Sequence, residues 1–76
     1  MKKTEPHRLV ICIQNTDYPA SLEKRKIYQA IPDSSANEHD QIRVIDESGE
    51  DYLYPKDYFI PVTLPKKVEK AVFKAA

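Results

Sequence analysis

The chain has a single glycine, Gly49, and the residues around it constrain the fold more than any other stretch: Gln41–Val62, QIRVIDESGEDYLYPKDYFIPV. Gln41–Asp46 alternates, with Ile42 and Val44 on one face and Arg43 and Ile45 on the other, as in a strand. Glu50–Tyr54 makes a second strand-like run. Between them lies DESG. Aspartate first and glycine fourth is a type I turn signature, and a glycine in the left-handed region completes a three-residue hairpin loop with a bulge. That loop pairs Val44 with Tyr52 and Ile42 with Tyr54. A two-residue Ser48-Gly49 loop would instead pair Val44 with Leu53 and Arg43 with Tyr54, and one step of slip moves every side chain to the opposite face. The placement of Asp46 and Gly49 favours the bulged loop.

Beyond the hairpin, Pro55–Tyr58 is expected to form one tight turn of 3₁₀ type. Phe59–Leu64 is a short final strand, and Pro61 confines it to an edge or a bulge. Upstream, Met1–Pro6 is polar and expected to be flexible. The apolar run LVICI at Leu9–Ile13 suits a strand covered on both faces, placed at about His7–Asn15. Asn15–Lys24, NTDYPASLEK, reads as an irregular loop with Leu22 as a lone apolar anchor. A second strand follows at about Arg25–Pro32. Tyr28 and Ala30 share one of its faces, and Ile27, Gln29 and Ile31 the other. Asp33–Asp40 has no apolar residue larger than alanine and reads as a solvated loop. Pro65 opens a short amphipathic helix, with Val68, Ala71, Val72 and Ala75 at helical spacing.

At 76 residues the chain makes one domain: a barrel over about residues 7–64, a helix over 65–76 and a flexible segment over 1–6. Five short strands and little helix predict an all-β, five-stranded small barrel with a short C-terminal helix. Twelve basic and twelve acidic side chains cancel. A basic excess of the kind that drives phosphate binding is absent, so nucleic acid is not expected as the main partner. No run approaches the roughly 20 apolar residues of a membrane helix. The run behind the charged start is too short for a signal-peptide core. Cys12 is the only cysteine. A lone thiol in an apolar run reads as a small buried hydrophobe suited to a reducing cytoplasm.

The carboxyl half resembles an SH3-type barrel. In that pattern the fourth strand ends in an apolar residue and proline; two variable residues follow, then tyrosine and an apolar residue that opens the last strand. Tyr54-Pro55-Lys56-Asp57-Tyr58-Phe59 reproduces this order, and Gly49-Glu50-Asp51 sits at the distal hairpin turn. The likeness spans roughly residues 9–62, with Asn15–Lys24 as the long first loop and Asp33–Asp40 as the second variable loop. The chain is also similar to short bacterial proteins with an RVIDESGEDYLYP-like core, a likeness that fixes no activity. Family members that bind proline-rich peptides place a tryptophan at the start of strand three. This chain has no tryptophan, and Gln41-Ile42 stands there. Pro55 and Tyr58 carry over, with Tyr18 in the first loop as a third wall.

Tyr18, Pro55 and Tyr58 are therefore the candidate protein-binding surface. The alternative is that Tyr58 plugs the barrel end and Tyr18 packs its own loop. Tyr28, Tyr52 and Tyr54 read as wall or core residues. Asp46, Glu47, Glu50 and Asp51 crowd one hairpin tip. That tip reads as a solvated acidic patch, relieved by solvent, Arg43 or a basic partner; four residues cannot easily wrap a calcium ion. Lys24-Arg25-Lys26 reads as solvated, with nucleic-acid contact or a regulatory small barrel as the alternative use. His7 and His39 show no metal-ligand spacing, and His7 and Cys12 fall on opposite strand parities. One glycine cannot build a phosphate-cradling loop. No catalytic residues, metal or cofactor are expected. Val68, Val72 and Phe73 either cap an open barrel end or serve as an arm, leaving the chain a monomer or a weak homodimer.

Overall fold

The computed structural model describes residues 8–75, apart from the side chains of Phe73 and Ala75. The expected start of the first strand at His7 and the flexible segment 1–6 lie outside the described residues. The elements run β1 (Arg8–Cys12), β2 (Ile27–Ile31), α1 (Ser34–Glu38), β3 (Gln41–Ile45), β4 (Asp51–Pro55), a 3₁₀ turn (Lys56–Tyr58), β5 (Phe59–Val62) and α2 (Lys66–Ala75). The strands form one antiparallel sheet in the order β4-β3-β2-β1-β5. The sheet is open rather than a closed barrel, with β4 and β5 as its edges. Each edge carries a proline, Pro55 at the end of β4 and Pro61 within β5.

The β3–β4 hairpin has the bulged register: Val44 faces Tyr52 and Ile42 faces Tyr54. The turn explains it. The Gly49 N–H donates to the Asp46 carbonyl at 2.9 Å, and the Asp46 N–H to the Glu50 carbonyl at 3.0 Å. Gly49 sits at φ +86°, where a Cβ would meet no atom within 4 Å, so backbone conformation alone reserves the position for glycine.

Strand alternation builds the core. Val10 and Cys12, Tyr28 and Ala30, Val44, Tyr54 and Phe59 are buried on the inner face, and Leu22 reaches them from the first loop. Tyr28 and Tyr54 each meet the Phe59 ring edge-on, at centroid separations of 6.4 Å and 6.2 Å. In β1 both Leu9 and Val10 are buried, as an all-apolar strand requires. Cys12 is fully buried, and its burial raises the thiol pKa. Neither setting activates a nucleophile.

Two expectations need correction. Asp33–Asp40 is not simply a solvated loop: Ser34–Glu38 forms a helical turn. The Asp33 carboxylate accepts from the Ala36 N–H at 3.1 Å, an N-cap that turns a polar stretch helical, and Ala36 is buried beneath it. Tyr52 lies in the sheet opposite Val44 but is not a core residue. It is 49% exposed, and its hydroxyl donates to Glu50 on the same edge.

In α2, Val68 is 45% exposed and Val72 half-buried; Phe73, the third residue of the expected cap, lies outside the described side chains. No helix among the described residues is long and apolar enough to cross a membrane.

Candidate functional site

The first loop is long but tied at many points. The Tyr18 N–H donates to the Asn15 carbonyl at 2.9 Å, and the Tyr18 carbonyl accepts from the Ser21 and Leu22 N–H groups at 3.1 and 3.0 Å. The Asn15 side-chain amide donates to the Leu22 carbonyl at 3.0 Å. The loop is also stitched to the distal hairpin, where the Glu47 N–H donates to the Ser21 carbonyl at 3.0 Å. These bonds point Tyr18 across the sheet end. Its ring meets Tyr54 edge-on at 4.8 Å and Tyr58 at 6.1 Å.

Two of the three expected surface residues are therefore brought together. Tyr18 and Tyr58 are both half-buried, packed against the core on one side and facing solvent on the other. Pro55 joins them only through the 3₁₀ turn that it caps and that carries Tyr58. The turn is held at both ends: the Lys56 N–H donates to the Asp40 carbonyl at 3.0 Å, and the Tyr58 carbonyl accepts from Ile13 at 2.8 Å. Pro55 pairs in register with Gln41. Burial, then nearby Asp17 and Tyr18, pushes the Tyr58 hydroxyl pKa above its ordinary value.

The acidic tip is solvated only in part: Glu47, Glu50 and Asp51 are exposed, and Asp46 alone of the four turns inward. Asp46 is buried, 6% exposed. Its carboxylate accepts from the Ser48 N–H at 2.9 Å, from the Ser48 hydroxyl at 2.6 Å and from the Tyr54 hydroxyl at 2.5 Å. Burial works to raise this carboxyl pKa, but the Ser48 and Tyr54 hydrogen bonds outweigh it and hold it below the ordinary value. Glu47 lies 2.6 Å from the Lys26 ammonium and accepts from the Tyr28 hydroxyl. Lys26 first, then Tyr28, lowers the Glu47 pKa. Asp51 pairs with Arg43 at 3.0 Å, as the sequence allowed, and Glu50 accepts from Tyr52. The four acids thus divide among six partners, and none is shared between two of them.

Asp46 was legible as an inward residue by parity, since it continues the Ile42, Val44 series. Ser48, two residues on, completes an Asx-type turn. Reading the tip by charge alone hid both signals.

The basic run divides in the same way. Lys26 is engaged by Glu47 and lies 5.5 Å from the centre of the Tyr28 ring. Arg25 is not on a strand; it precedes β2 at φ +72°. All three are exposed, but Glu47 offsets the Lys26 charge, and the two cations left make a poor track for a phosphate backbone. The His39 ring contacts the Ser35 carbonyl at 2.8 Å, while His7 lies outside the described residues. Among the described residues, no three His, Cys, Asp or Glu side chains converge in a way that could hold a metal ion.

The inner hydroxyls carry a testable consequence. Burial first, then the Glu47 hydrogen bond, raises the Tyr28 pKa well above its ordinary 10.0. Burial first, then Asp46, pushes Tyr54 up to about 12. Because both folded values are raised, the stability that they carry is complete below pH 10 and lost as pH rises toward 12. In an alkaline titration followed by tyrosinate absorbance, two of the five tyrosines should ionise late and together with unfolding. All five ionising near their ordinary pKa in a chain that stays folded would contradict this burial.

Comparison with known protein families, with curated proteins and with solved structures finds no match to this chain.

Proposed function

We propose that the chain is a non-catalytic, SH3-like small module that binds another protein through Tyr18, Tyr58 and the adjoining Pro55. The single observation that carries this reading is the Tyr18–Tyr58 ring contact at 6.1 Å, which joins the first loop to the proline-capped turn in one half-exposed aromatic surface. Such residues supply rigid apolar area with a polar tip, the chemistry favoured at protein interfaces. The strand order β4-β3-β2-β1-β5 and the Pro55-x-x-Tyr58 spacing support the SH3-like assignment. Gln41, the in-register neighbour of Pro55, stands where the peptide-binding pattern has tryptophan, so proline-rich ligands are not part of the proposal. The lone, buried Cys12 suits a cytoplasmic setting. The module acts as a monomer or pairs weakly through α2. Nucleic-acid binding through Lys24–Lys26 is the weaker reading, because Glu47 already occupies Lys26.

The test is selection from a displayed peptide library against the immobilised chain. Peptides that enrich should bind Tyr58→Ala at least about 30-fold more weakly, the loss typical of a truncated aromatic hot spot, with the melting temperature little changed. Equal binding to Tyr58→Ala and Tyr18→Ala, or failure of any peptide to enrich, would sink the reading. Unfolding of the Tyr58→Ala chain would do the same by making Tyr58 a packing residue.

A further inference from the structure

The inner face of the sheet is filled unevenly. Leu22 and Tyr18 from the first loop pack against the buried cluster of that face. Where β1 starts and β2 finishes, beside Ala30, the surface is lined by no described residue of that loop. A cleft of about 510 Å³ lies there, within the ordinary range of small-ligand sites. Its walls close down on Val10, Ala30, Ile42 and Pro61, and α1 contributes Ser34 and Asn37.

The charge around this apolar floor is one-sided. Arg8, Arg43 and Lys56 line the cleft against a single carboxylate, Asp33. Arg43 is engaged, 2.8 Å from Asp33 and 3.0 Å from Asp51. Arg8 has no carboxylate partner among the described residues. The Lys56 ammonium donates only to the neutral side-chain oxygen of Asn37. Among the described residues, two cations without a carboxylate partner therefore flank one apolar cleft, in a chain of formal net charge zero. A neutral apolar ligand would leave both charges idle, and a phosphate would leave the apolar floor idle.

We propose that this cleft is a binding site for a carboxylate with an apolar body, its head held between Arg8 and Lys56 and its tail on Val10, Ala30, Ile42 and Pro61. The site is independent of the Tyr18–Tyr58 surface and shares no residue with it. The same chemistry arises from a free medium-chain acid or from the C-terminal carboxylate of a peptide ending in leucine.

Both sources are tested by methyl-detected NMR titration of the full chain at low salt, with octanoate in one arm and a short peptide ending in free leucine in the other. At least one arm should saturate below about 1 mM, with shifts centred on Val10, Ala30 and Ile42. Octanol or the amidated peptide should bind about tenfold more weakly. Arg8→Gln and Lys56→Gln should each weaken the acid about three- to tenfold, with the melting temperature unchanged. The arm that saturates first identifies the source. The proposal is overturned if neither arm saturates by about 10 mM, if the uncharged analogue binds as well as the acid, or if both Gln variants bind as the native chain does. Shifts centred on Tyr18 and Tyr58 would likewise assign the ligand to the aromatic surface instead.

Discussion

Replacing Asp46 with alanine is expected to lower stability by about 2–4 kcal/mol, read as a fall in melting temperature of roughly 10–25 °C. Asp46 accepts from three donors at a buried position, so its loss removes the acceptor of the Tyr54 hydroxyl, leaving it only Ser21, and unbraces the turn at Ser48. A buried donor deprived of its acceptor costs more than the hydrogen bond itself was worth. Tyr54→Phe removes the same bond from the other side but leaves the carboxylate with its Ser48 donors, so it should cost less. The double variant should fall short of the sum, because the two changes break one interaction. The pH dependence has a definite sign. Hydrogen bonding holds the folded Asp46 carboxyl below its ordinary 3.8, and Glu47, paired with Lys26, below its ordinary 4.5. Their stabilisation is therefore complete above those ordinary values and lost as pH falls through the lower folded ones. The gap between native and Asp46→Asn chains should be widest near neutrality and shrink below about pH 4. A cost under about 1 kcal/mol for Asp46→Ala would mean that the carboxylate is solvated after all.

Truncation of Leu22 is the second change with a large expected effect, about 2.5–4 kcal/mol for Leu22→Ala in denaturant unfolding. Leu22 is fully buried although it belongs to a loop of mostly polar residues. It joins the cluster of Cys12, Tyr28, Val44 and Phe59 from outside the sheet, and its backbone bonds fix the turn that begins at Tyr18. Cutting the side chain to a methyl opens a cavity and releases the loop together. Leu22→Met, which conserves volume, should cost less than about 1.5 kcal/mol. Because Leu22 holds Tyr18 in place, the alanine variant should also bind selected partners more weakly under conditions where it remains folded. A loss below about 1 kcal/mol would show that the loop is pinned by its hydrogen bonds and not by its anchor.

Local chemistry made some of this architecture readable before any coordinates. Aspartate and glycine three residues apart specify the bulged hairpin, and the register of Val44 on Tyr52 follows. Pro55 ends a strand and starts the 3₁₀ turn, because proline has the dihedral angle that such a turn begins with and lacks the N–H that a ladder needs. Tyr28 and Ala30 alternate with half-covered isoleucines, and the buried face of β2 is the one they share. The features that escaped depend on partners distant in sequence. Nothing near Lys26 announces that Glu47 will meet it, or that Asp33 will pair with Arg43 while capping α1. Tyr52 has the composition of a core residue, yet it stands on an edge strand with no sheet beyond it. The aromatic surface was half legible: the family-like spacing of Pro55 and Tyr58 pointed to it, and only the loop's own bonds bring Tyr18 there.

The prolines on the two outer strands bear on behaviour in concentrated solution. A chain with no net charge has little electrostatic repulsion to keep its copies apart. An open sheet also offers two unpaired margins on which a neighbouring copy could add a strand. Pro55 and Pro61 each delete one backbone donor from those margins, and both margins are short. Two ring-closed residues thus work against strand addition at both margins, and that effect should not change with salt.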